Sequence, residues 1–154
     1  MSERNKTCAL CGADKIRKGK VSLVREVGSH VFSATVVGHV CGACGESFTD
    51  IRDGERFDLA VAAQLSEAAP SGEAFRFLRK VAGLKAREVA SMFGVTNDTI
   101  SRWENGKHAI ERPPFFILGQ LVREKAQGST TMLDLLLRGQ MPKPLPERIE
   151  VHLD

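Results

Sequence analysis

Four cysteines constrain this chain more than any other feature. Cys8 and Cys11 form one Cys-x2-Cys pair, Cys41 and Cys44 form a second, and 29 residues separate the pairs. A glycine follows the second cysteine of each pair, which lets the backbone fold around a metal and point its N–H groups at the thiolates. This pattern predicts a closed, tetrahedral, all-thiolate site that holds one structural Zn²⁺ per chain.

Disulfide bonds and a redox dithiol are the alternatives to zinc. The first residues, MSERNKTC, lack an apolar signal core, so we expect a cytoplasmic, reducing location in which disulfides are rare. A redox Cys-x-x-Cys needs only one pair and leaves the second unexplained. His39 lies two residues before Cys41 and is a competing ligand candidate. Because four thiolates already complete the tetrahedron, we expect it to be a strand residue instead.

The segment between the cysteine pairs has the period-two pattern of β-strands. Val21, Leu23 and Val27 share one face, which Arg25 interrupts. Gly-Ser at 28–29 is a turn signal, and the segment after it is rich in β-branched residues. We expect a small antiparallel sheet pinned by zinc, in which metal binding contributes on the order of 10 kcal/mol to folding.

Residues 84–106 have the layout of two short helices joined by a tight turn. We expect helices at 86–93 and 97–103, with Gly94 in a left-handed turn and Thr96 as the N-cap of the second helix. The second helix buries two apolar side chains at i, i+3 and turns a polar face outward, as in a helix-turn-helix that enters the DNA major groove. The alternative, a hairpin kept for packing or dimerisation, leaves that polar cluster without a role.

The polar residues of this segment are the candidate DNA contacts. Arg102 suits a bidentate contact to guanine O6 and N7, and Asn97 suits adenine N6 and N7 or a phosphate. Asp98 is unusual opposite a polyanion: it accepts from cytosine N4, or it only favours the positive end of the helix dipole. The candidates for the remaining contacts, mainly with phosphates, are Thr96, Thr99, Ser101, Lys107 and Arg112.

Charge and composition agree with a DNA-binding protein without requiring one. The net charge is +3, and residues 71–138 carry 11 Lys+Arg against 7 Asp+Glu, so the excess lies in the segment with the helix-turn-helix. The exposed surface of a protein that does not bind DNA can also carry an excess of positive charge of this size. No apolar run approaches the length of a transmembrane helix, so we expect no membrane partner.

The Ala-Pro-Ser-Gly break at 69–72 suggests a domain boundary. We assign residues 1–70 to a zinc-binding β domain with a connecting helix and residues 71–138 to an all-α DNA-binding domain. Residues 139–154 form a tail that is disordered or adds a strand to a partner. The predicted fold class is therefore α+β.

Apolar spacing places the other helices. A helix of about three turns begins near Phe57, and further helices are expected at 72–81, 113–125 and 132–137. The last contains the run Leu135-Leu136-Leu137, which is more apolar than one buried face needs. The surplus is either core or a dimer contact.

The segment at 84–106 resembles the Xre or lambda-repressor type of helix-turn-helix. The matching features are Ala90, the Gly-Val turn at 94–95, Thr96, Ile100 and the string SRWENG at 101–106. The order of a four-cysteine module, a short helix and this motif resembles the MqsA (YgiT-type) antitoxins, roughly from the first cysteine to the last predicted helix. The second cysteine pair carries the matching string CGACGE.

This resemblance implies a lambda-repressor-like helical domain that joins a homodimer. It further implies repression through a palindrome in the protein's own promoter and a toxin, commonly an mRNA-cleaving ribonuclease, held by the zinc domain. The sequence departs from the family where Lys85-Ala86 replaces the usual Thr-Gln, which removes an N-cap and a phosphate contact. The tail from Gly139 has no clear counterpart.

Two other classes of function stay open. One is a stand-alone zinc-containing Xre-type regulator without a toxin, which a neighbouring gene for a small basic ribonuclease would argue against. The other is an interaction protein that no longer touches DNA, although Arg102 and Lys107 are present. We do not expect an enzyme, because no nucleophile–base pair is visible and the four histidines are scattered.

Overall fold

The computed structural model describes residues 7–142 and 144–150. Within them, a three-stranded antiparallel sheet precedes six helices. The strands are β1 (Ile16–Val27), β2 (His30–Cys41) and β3 (Ser47–Phe48). The helices are α1 (Ile51–Leu65), α2 (Gly72–Ala82), α3 (Ala86–Phe93), α4 (Asn97–Glu104), α5 (Arg112–Ala126) and α6 (Thr131–Gly139). The α+β class predicted from the sequence is confirmed.

A long hairpin fills the gap between the two cysteine pairs. β1 and β2 pair along their whole length, from Ile16 opposite Cys41 to Val27 opposite His30. The connecting turn uses Gly28 at φ 58°, a conformation that residues with a Cβ rarely adopt. β3 pairs with the other edge of β2. The expected antiparallel sheet is present, and β2 ends at the first cysteine of the second pair.

The first helix begins earlier than the apolar spacing predicts. We expected it to start near Phe57, but α1 starts at Ile51 and has 15 residues. Asp50 caps it, because its side chain accepts a hydrogen bond from the Arg52 N–H at 2.9 Å. The first turn has no buried side chain and includes Gly54, so it carries no apolar stripe. The period becomes visible only where burial begins, at Phe57.

α5 is the central helix of the helical half. It contacts α1, α2 and α6, while α2 also contacts α4, and α4 contacts α3. Large fully buried side chains come from three of these helices: Phe75, Leu78, Ile100, Phe115 and Leu118. Close packing of such side chains fixes the relative positions of the helices.

The bounds of α3 agree with the prediction, and those of α2, α4, α5 and α6 differ from it by one or two residues at an end. α2 and α4 each extend one residue further, and α5 begins at Arg112, one residue before its predicted start. α6 starts at Thr131 and continues to Gly139. Its start is stabilised by the buried Glu124 of α5, whose Oε2 accepts from the Met132 N–H at 2.8 Å. A cap supplied from another helix leaves no local signal in the sequence.

Arg25, which interrupts the apolar face of β1, connects the hairpin to α1. Its Nε donates to Asp58 Oδ1 at 2.7 Å. Its guanidinium carbon lies 5.8 Å from the centre of the Phe57 ring, within cation–π range. Leu23 and Phe32 of the hairpin pack against the same core. The break in the strand pattern is therefore a contact between elements.

One apolar core extends from the hairpin into the helices. It includes Val27 of β1, Val61 of α1, Phe75 of α2 and Leu118 of α5. α1, which we assign to the N-terminal domain, contacts both α2 and α5. The boundary at residues 70/71 stays a prediction about which segments fold independently.

The tail continues beyond α6 without regular structure in the part that is described. Residues 140–142 and 144–150 contain no helix or strand, and residues 151–154 of the expected alternating end lie outside the described residues. Among the described helices, none combines the length and the apolar character needed to cross a bilayer.

The start of α2 requires a glycine, and this can be tested. A Cβ on Gly72 would lie 2.5 Å from the carbonyl oxygen of Trp103 and 2.8 Å from that of Glu104. We expect Gly72→Ala to lower the free energy of unfolding by about 1–3 kcal/mol, since backbone atoms must move. Gly54→Ala is the matched control, because no atom lies within 4 Å of its Cβ position. Alanine there should stabilise α1 by up to about 1 kcal/mol. If urea unfolding finds the same change in stability for both variants, the close approach of Gly72 to the end of α4 is contradicted.

Candidate metal centre and nucleic-acid interface

Both cysteine pairs lie in backbone turns of the same kind. The Cys8 N–H donates to the Ala13 carbonyl at 2.9 Å, and the Gly12 N–H donates to the Cys8 carbonyl at 2.8 Å. The same two hydrogen bonds recur around Cys41, at 2.8 and 2.9 Å. Gly12 and Gly45 adopt φ 72° and 77°. The glycine after each pair therefore closes a turn that directs two thiols to one point.

The four cysteine sulfurs form one cluster of the size of a zinc site. All four Sγ atoms lie within 4.8 Å of one another. The Cys8 and Cys44 sulfurs are 3.7 Å apart, as are those of Cys11 and Cys41. Sulfurs at ~2.3 Å from a tetrahedral zinc lie about 3.8 Å from each other, whereas a disulfide needs about 2.05 Å. The cysteines are free thiols that could hold one zinc ion, and the predicted cofactor is supported.

Four sulfurs at this spacing compete for negative charge. The backbone N–H groups of Cys44 and Ala43 lower the pKa of the Cys41 thiol to about 6. The Glu46 N–H lowers the pKa of Cys44, but desolvation and the neighbouring sulfurs raise it to about 12. Adjacent thiolates repel each other, so they do not all ionise on their own. A divalent cation provides the charge that lets all four act as thiolate ligands.

His39 lies outside the sulfur cluster. It pairs across the sheet with Lys18 of β1 and Phe48 of β3, and its side chain is exposed. In the described residues, the group of side chains arranged to hold a metal contains the four cysteines and no histidine. The expectation that His39 is a strand residue is met.

α3 and α4 form the expected pair of helices around a tight turn. Gly94 ends α3 at φ 65°, and the Val95 N–H donates to the Ala90 carbonyl at 2.9 Å. Thr96 caps α4, because its Oγ1 accepts from the Thr99 N–H at 3.1 Å. These bonds satisfy backbone groups at both sides of the turn and fix the direction in which α4 leaves it.

The start of α3 shows how the chain replaces a missing cap. Lys85 occupies the N-cap position without a side-chain hydrogen bond to the helix. Its own N–H instead donates to Glu88 Oε2 at 2.6 Å. This reciprocal half of a capping box orders the segment where the expected threonine is absent.

α4 has one buried face and one exposed face. Ile100 and Trp103 are 0% and 5% exposed, and the indole ring packs edge-on against Phe75 at 5.6 Å between centroids. The opposite face is open to solvent. It brings together four of the predicted DNA contacts: Asn97, Asp98, Ser101 and Arg102.

The other predicted contacts lie at the two ends of α4. The hydroxyls of Thr96 and Thr99 are 3.0 Å apart at its N-terminus, where they take part in the cap. Lys107 is exposed beyond its C-terminus, and its N–H donates to the Arg102 carbonyl at 2.9 Å. Arg112 is exposed at the first position of α5.

Two of the predicted DNA contacts are partners of each other. Asp98 Oδ2 lies 2.7 Å from Arg102 Nε in an i, i+4 ion pair. Sequence reasoning treated the two residues separately. The i, i+4 spacing of the two residues could have predicted the pair, because side chains four residues apart lie next to each other on a helix.

Glu104 is a buried charge that sequence reasoning missed. Its side chain is 6% exposed, and its carboxylate accepts from Arg79 Nε at 2.5 Å and Arg76 Nε at 3.1 Å. Burial raises the pKa of Glu104, but hydrogen bonds from the two guanidinium groups outweigh this and lower it. Arg79 also donates to the Leu84 carbonyl at 2.8 Å. This cluster fixes α4 against α2 and the start of α3. Its one sequence signal was an acid next to the buried Trp103.

Comparison with protein-family models gives one finding. Residues 6–125 match the model described as the antitoxin component of bacterial toxin-antitoxin system, MqsA. No curated protein and no solved structure is significantly similar to the chain. The matched segment contains the sulfur cluster and the helix-turn-helix and ends within α5.

Proposed function

The chain belongs to the MqsA family of antitoxin components of bacterial toxin–antitoxin systems, and on this premise we propose that it represses its own promoter and neutralises a toxin. The family is one of regulators, so the proposed activity is binding. We further propose that the protein acts in the cytoplasm, and the absence of a disulfide among the four cysteines supports a reducing compartment.

The exposed face of α4 supports DNA binding most directly. Its opposite face is fixed by Trp103 and by the Glu104 cluster, so the polar side chains extend from a rigid support. In our proposal, Arg102 contacts guanine O6 and N7, and Asn97 contacts adenine or a phosphate. Phosphates are contacted by Ser101 of the same face, by Thr96, Thr99 and Lys107 at the ends of α4, and by Arg112 at the start of α5.

One recognition helix gives modest affinity, so we propose a homodimer that binds two half-sites of a palindrome. Leu135 and Leu137 support a contact through α6, because they are 58% and 50% exposed. Leu136 packs against the core instead. In our proposal, the run of three leucines divides between core packing and a dimer contact.

The zinc domain is the part of the chain that we propose binds the toxin. The family match supports a toxin partner in general, and the zinc cluster supports a rigid hairpin that can present a surface. Co-expression with the product of the neighbouring gene, followed by co-purification at a fixed ratio, would support this role. A neighbouring gene unrelated to toxins would favour the stand-alone regulator.

Arg102→Ala tests the DNA-binding proposal. We expect affinity for the duplex upstream of the gene to fall about 30-fold or more, because ~1–3 kcal/mol is lost at each of two half-sites. Weak, salt-sensitive binding to a mixed-sequence duplex should persist, since phosphate contacts remain. Fluorescence anisotropy at two salt concentrations measures both quantities.

The matched control is Arg56→Ala on α1, which removes the same charge from a side chain that is 83% exposed. It should leave the specific affinity within about twofold, because screening weakens the effect of a distant exposed charge. Unchanged specific binding by Arg102→Ala would reject Arg102 as a base contact. Absence of specific binding by the wild type would reject the repressor proposal for this DNA.

A further inference from the structure

The ion pair between Asp98 and Arg102 lies on the face of α4 that we propose reads DNA. The carboxylate oxygen Oδ2 approaches Nε at 2.7 Å, and the side chains are 69% and 49% exposed. Both groups are therefore accessible to a ligand that covers this face. The acid precedes the arginine by one helical turn, which is the favourable orientation for such a pair.

The atoms involved leave the arginine able to read a base. Reading guanine O6 and N7 requires two donors of the planar guanidinium fork. The carboxylate of Asp98 contacts Nε, whereas the end-on pair of donors on the two terminal nitrogens lies on a different edge of the guanidinium plane. A long arginine side chain otherwise loses rotamer freedom when it binds, and a preformed contact reduces that loss.

We propose that Asp98 is a positioning residue for Arg102 and thereby determines the specificity for guanine in each half-site. This inference rests on the proposed function. It assigns to Asp98 a role different from direct reading of cytosine and from stabilisation of the helix N-terminus. Thr96 already caps that terminus through its hydroxyl, so the backbone there has a partner without Asp98.

A carboxylate beside the phosphates has a second consequence. It repels every DNA sequence equally, because the backbone charge does not depend on sequence. The contact to Arg102 favours only sites with a guanine in the right place. Asp98 therefore weakens non-specific binding and strengthens discrimination. Removing its charge should raise the affinity for mixed-sequence DNA and lower the ratio of specific to non-specific affinity.

The test compares wild type with Asp98→Asn, which keeps the size of the side chain and removes its charge. The probes are the duplex upstream of the gene, a mixed-sequence duplex of equal length, and upstream duplexes with single 7-deazaguanine substitutions, which remove the N7 acceptor. Glu73→Gln is the matched control. Glu73 is an exposed acid in the first turn of α2, and it forms none of the salt bridges within residues 7–142 and 144–150.

We expect Asp98→Asn to lower the ratio of specific to non-specific affinity about fivefold, or ~1 kcal/mol summed over the two half-sites, because positioning contributes only part of what each arginine–guanine pair does. Affinity for the mixed-sequence duplex should rise. The penalty for the 7-deazaguanine that most weakens wild-type binding should shrink. Glu73→Gln should change neither the ratio nor that penalty.

A double-mutant cycle separates positioning from direct contact. In the Arg102→Ala background, Asp98→Asn should not change the ratio, because the residue it positions is gone. A loss of discrimination that persists in this background would show that Asp98 reads a base itself and would overturn the proposal. An unchanged or higher ratio for Asp98→Asn alone would also overturn it. If the wild type binds both duplexes equally, the proposed function fails first.

Discussion

Cys41→Ser is expected to abolish stoichiometric zinc binding and to unfold the base of the hairpin. The wild type should contain one zinc per chain, since four thiolates complete a tetrahedral site. Cys41 is 1% exposed and belongs both to β2 and to the second cysteine turn. A hydroxyl in its place is a poor zinc ligand, and the remaining three thiolates no longer close the site.

The expected effect is large because few side chains are buried at the end of the hairpin next to the cysteines. The buried side chains of the hairpin are few, namely Val21, Val27 and Cys41 within β1 and β2. Structural zinc contributes on the order of 10 kcal/mol in small modules, which exceeds the stability of most domains of this size. Amide hydrogen exchange should therefore show the greatest loss of protection at the base of the hairpin, where Ile16 pairs with Cys41, in the variant and in wild type treated with chelator.

His39→Ala is the matched control, because it changes a metal-ligating residue type two positions away. His39 is exposed and outside the sulfur cluster, so this variant should keep one zinc per chain. Zinc content is measured by elemental analysis of protein purified without chelator. Retention of full zinc by Cys41→Ser, or its loss from His39→Ala, would contradict the four-thiolate site.

The features that the sequence predicted best are those with a local physical cause. The positive φ of Gly94 and the side-chain cap from Thr96 arise within a few residues, so the bounds of α3 and the start of α4 were predicted to the residue. The sulfur cluster was equally predictable from the sequence, because two Cys-x2-Cys pairs leave few other ways to supply four ligands to one metal ion. The hairpin followed from period-two spacing and a Gly-Ser turn.

The features that the sequence did not reveal depend on distant partners. The first turn of α1 is exposed, so no apolar stripe marked it. The start of α6 depends on the carboxylate of Glu124, which comes from another helix. In the sequence, Arg25 interrupts the apolar face of β1, and only the structure shows that it pairs with Asp58 of α1. Contacts between residues far apart in the chain leave no periodic signal, which is why they required the structure.

Glu104→Ala is expected to lower the free energy of unfolding by about 3–5 kcal/mol, because it leaves Arg79 as an uncompensated charge in a largely buried place. The Arg79 side chain is only 12% exposed. Urea unfolding at constant zinc concentration measures this loss. Glu67→Ala is the matched control, since its carboxylate pairs with Arg123 at 3.0 Å but is 72% exposed. That pair should contribute less than about 1 kcal/mol.

The pH dependence tests whether charge is the cause. Burial raises the pKa of Glu104, but the Arg79 and Arg76 hydrogen bonds outweigh it, so the folded-state pKa lies below the usual Glu value of about 4.3. The ionised carboxylate therefore stabilises the fold fully above about pH 4.3, and this contribution is lost as the pH falls through the lowered pKa. Glu104→Gln has no such proton to bind. The stability difference between wild type and Glu104→Gln should be constant near neutral pH and shrink in acid, while zinc loss affects both proteins alike. If the stability difference between the two proteins stays constant down to pH 3, Glu104 supports α4 by packing and not by its charge. The exposed face of α4 would then not depend on the buried ion pairs.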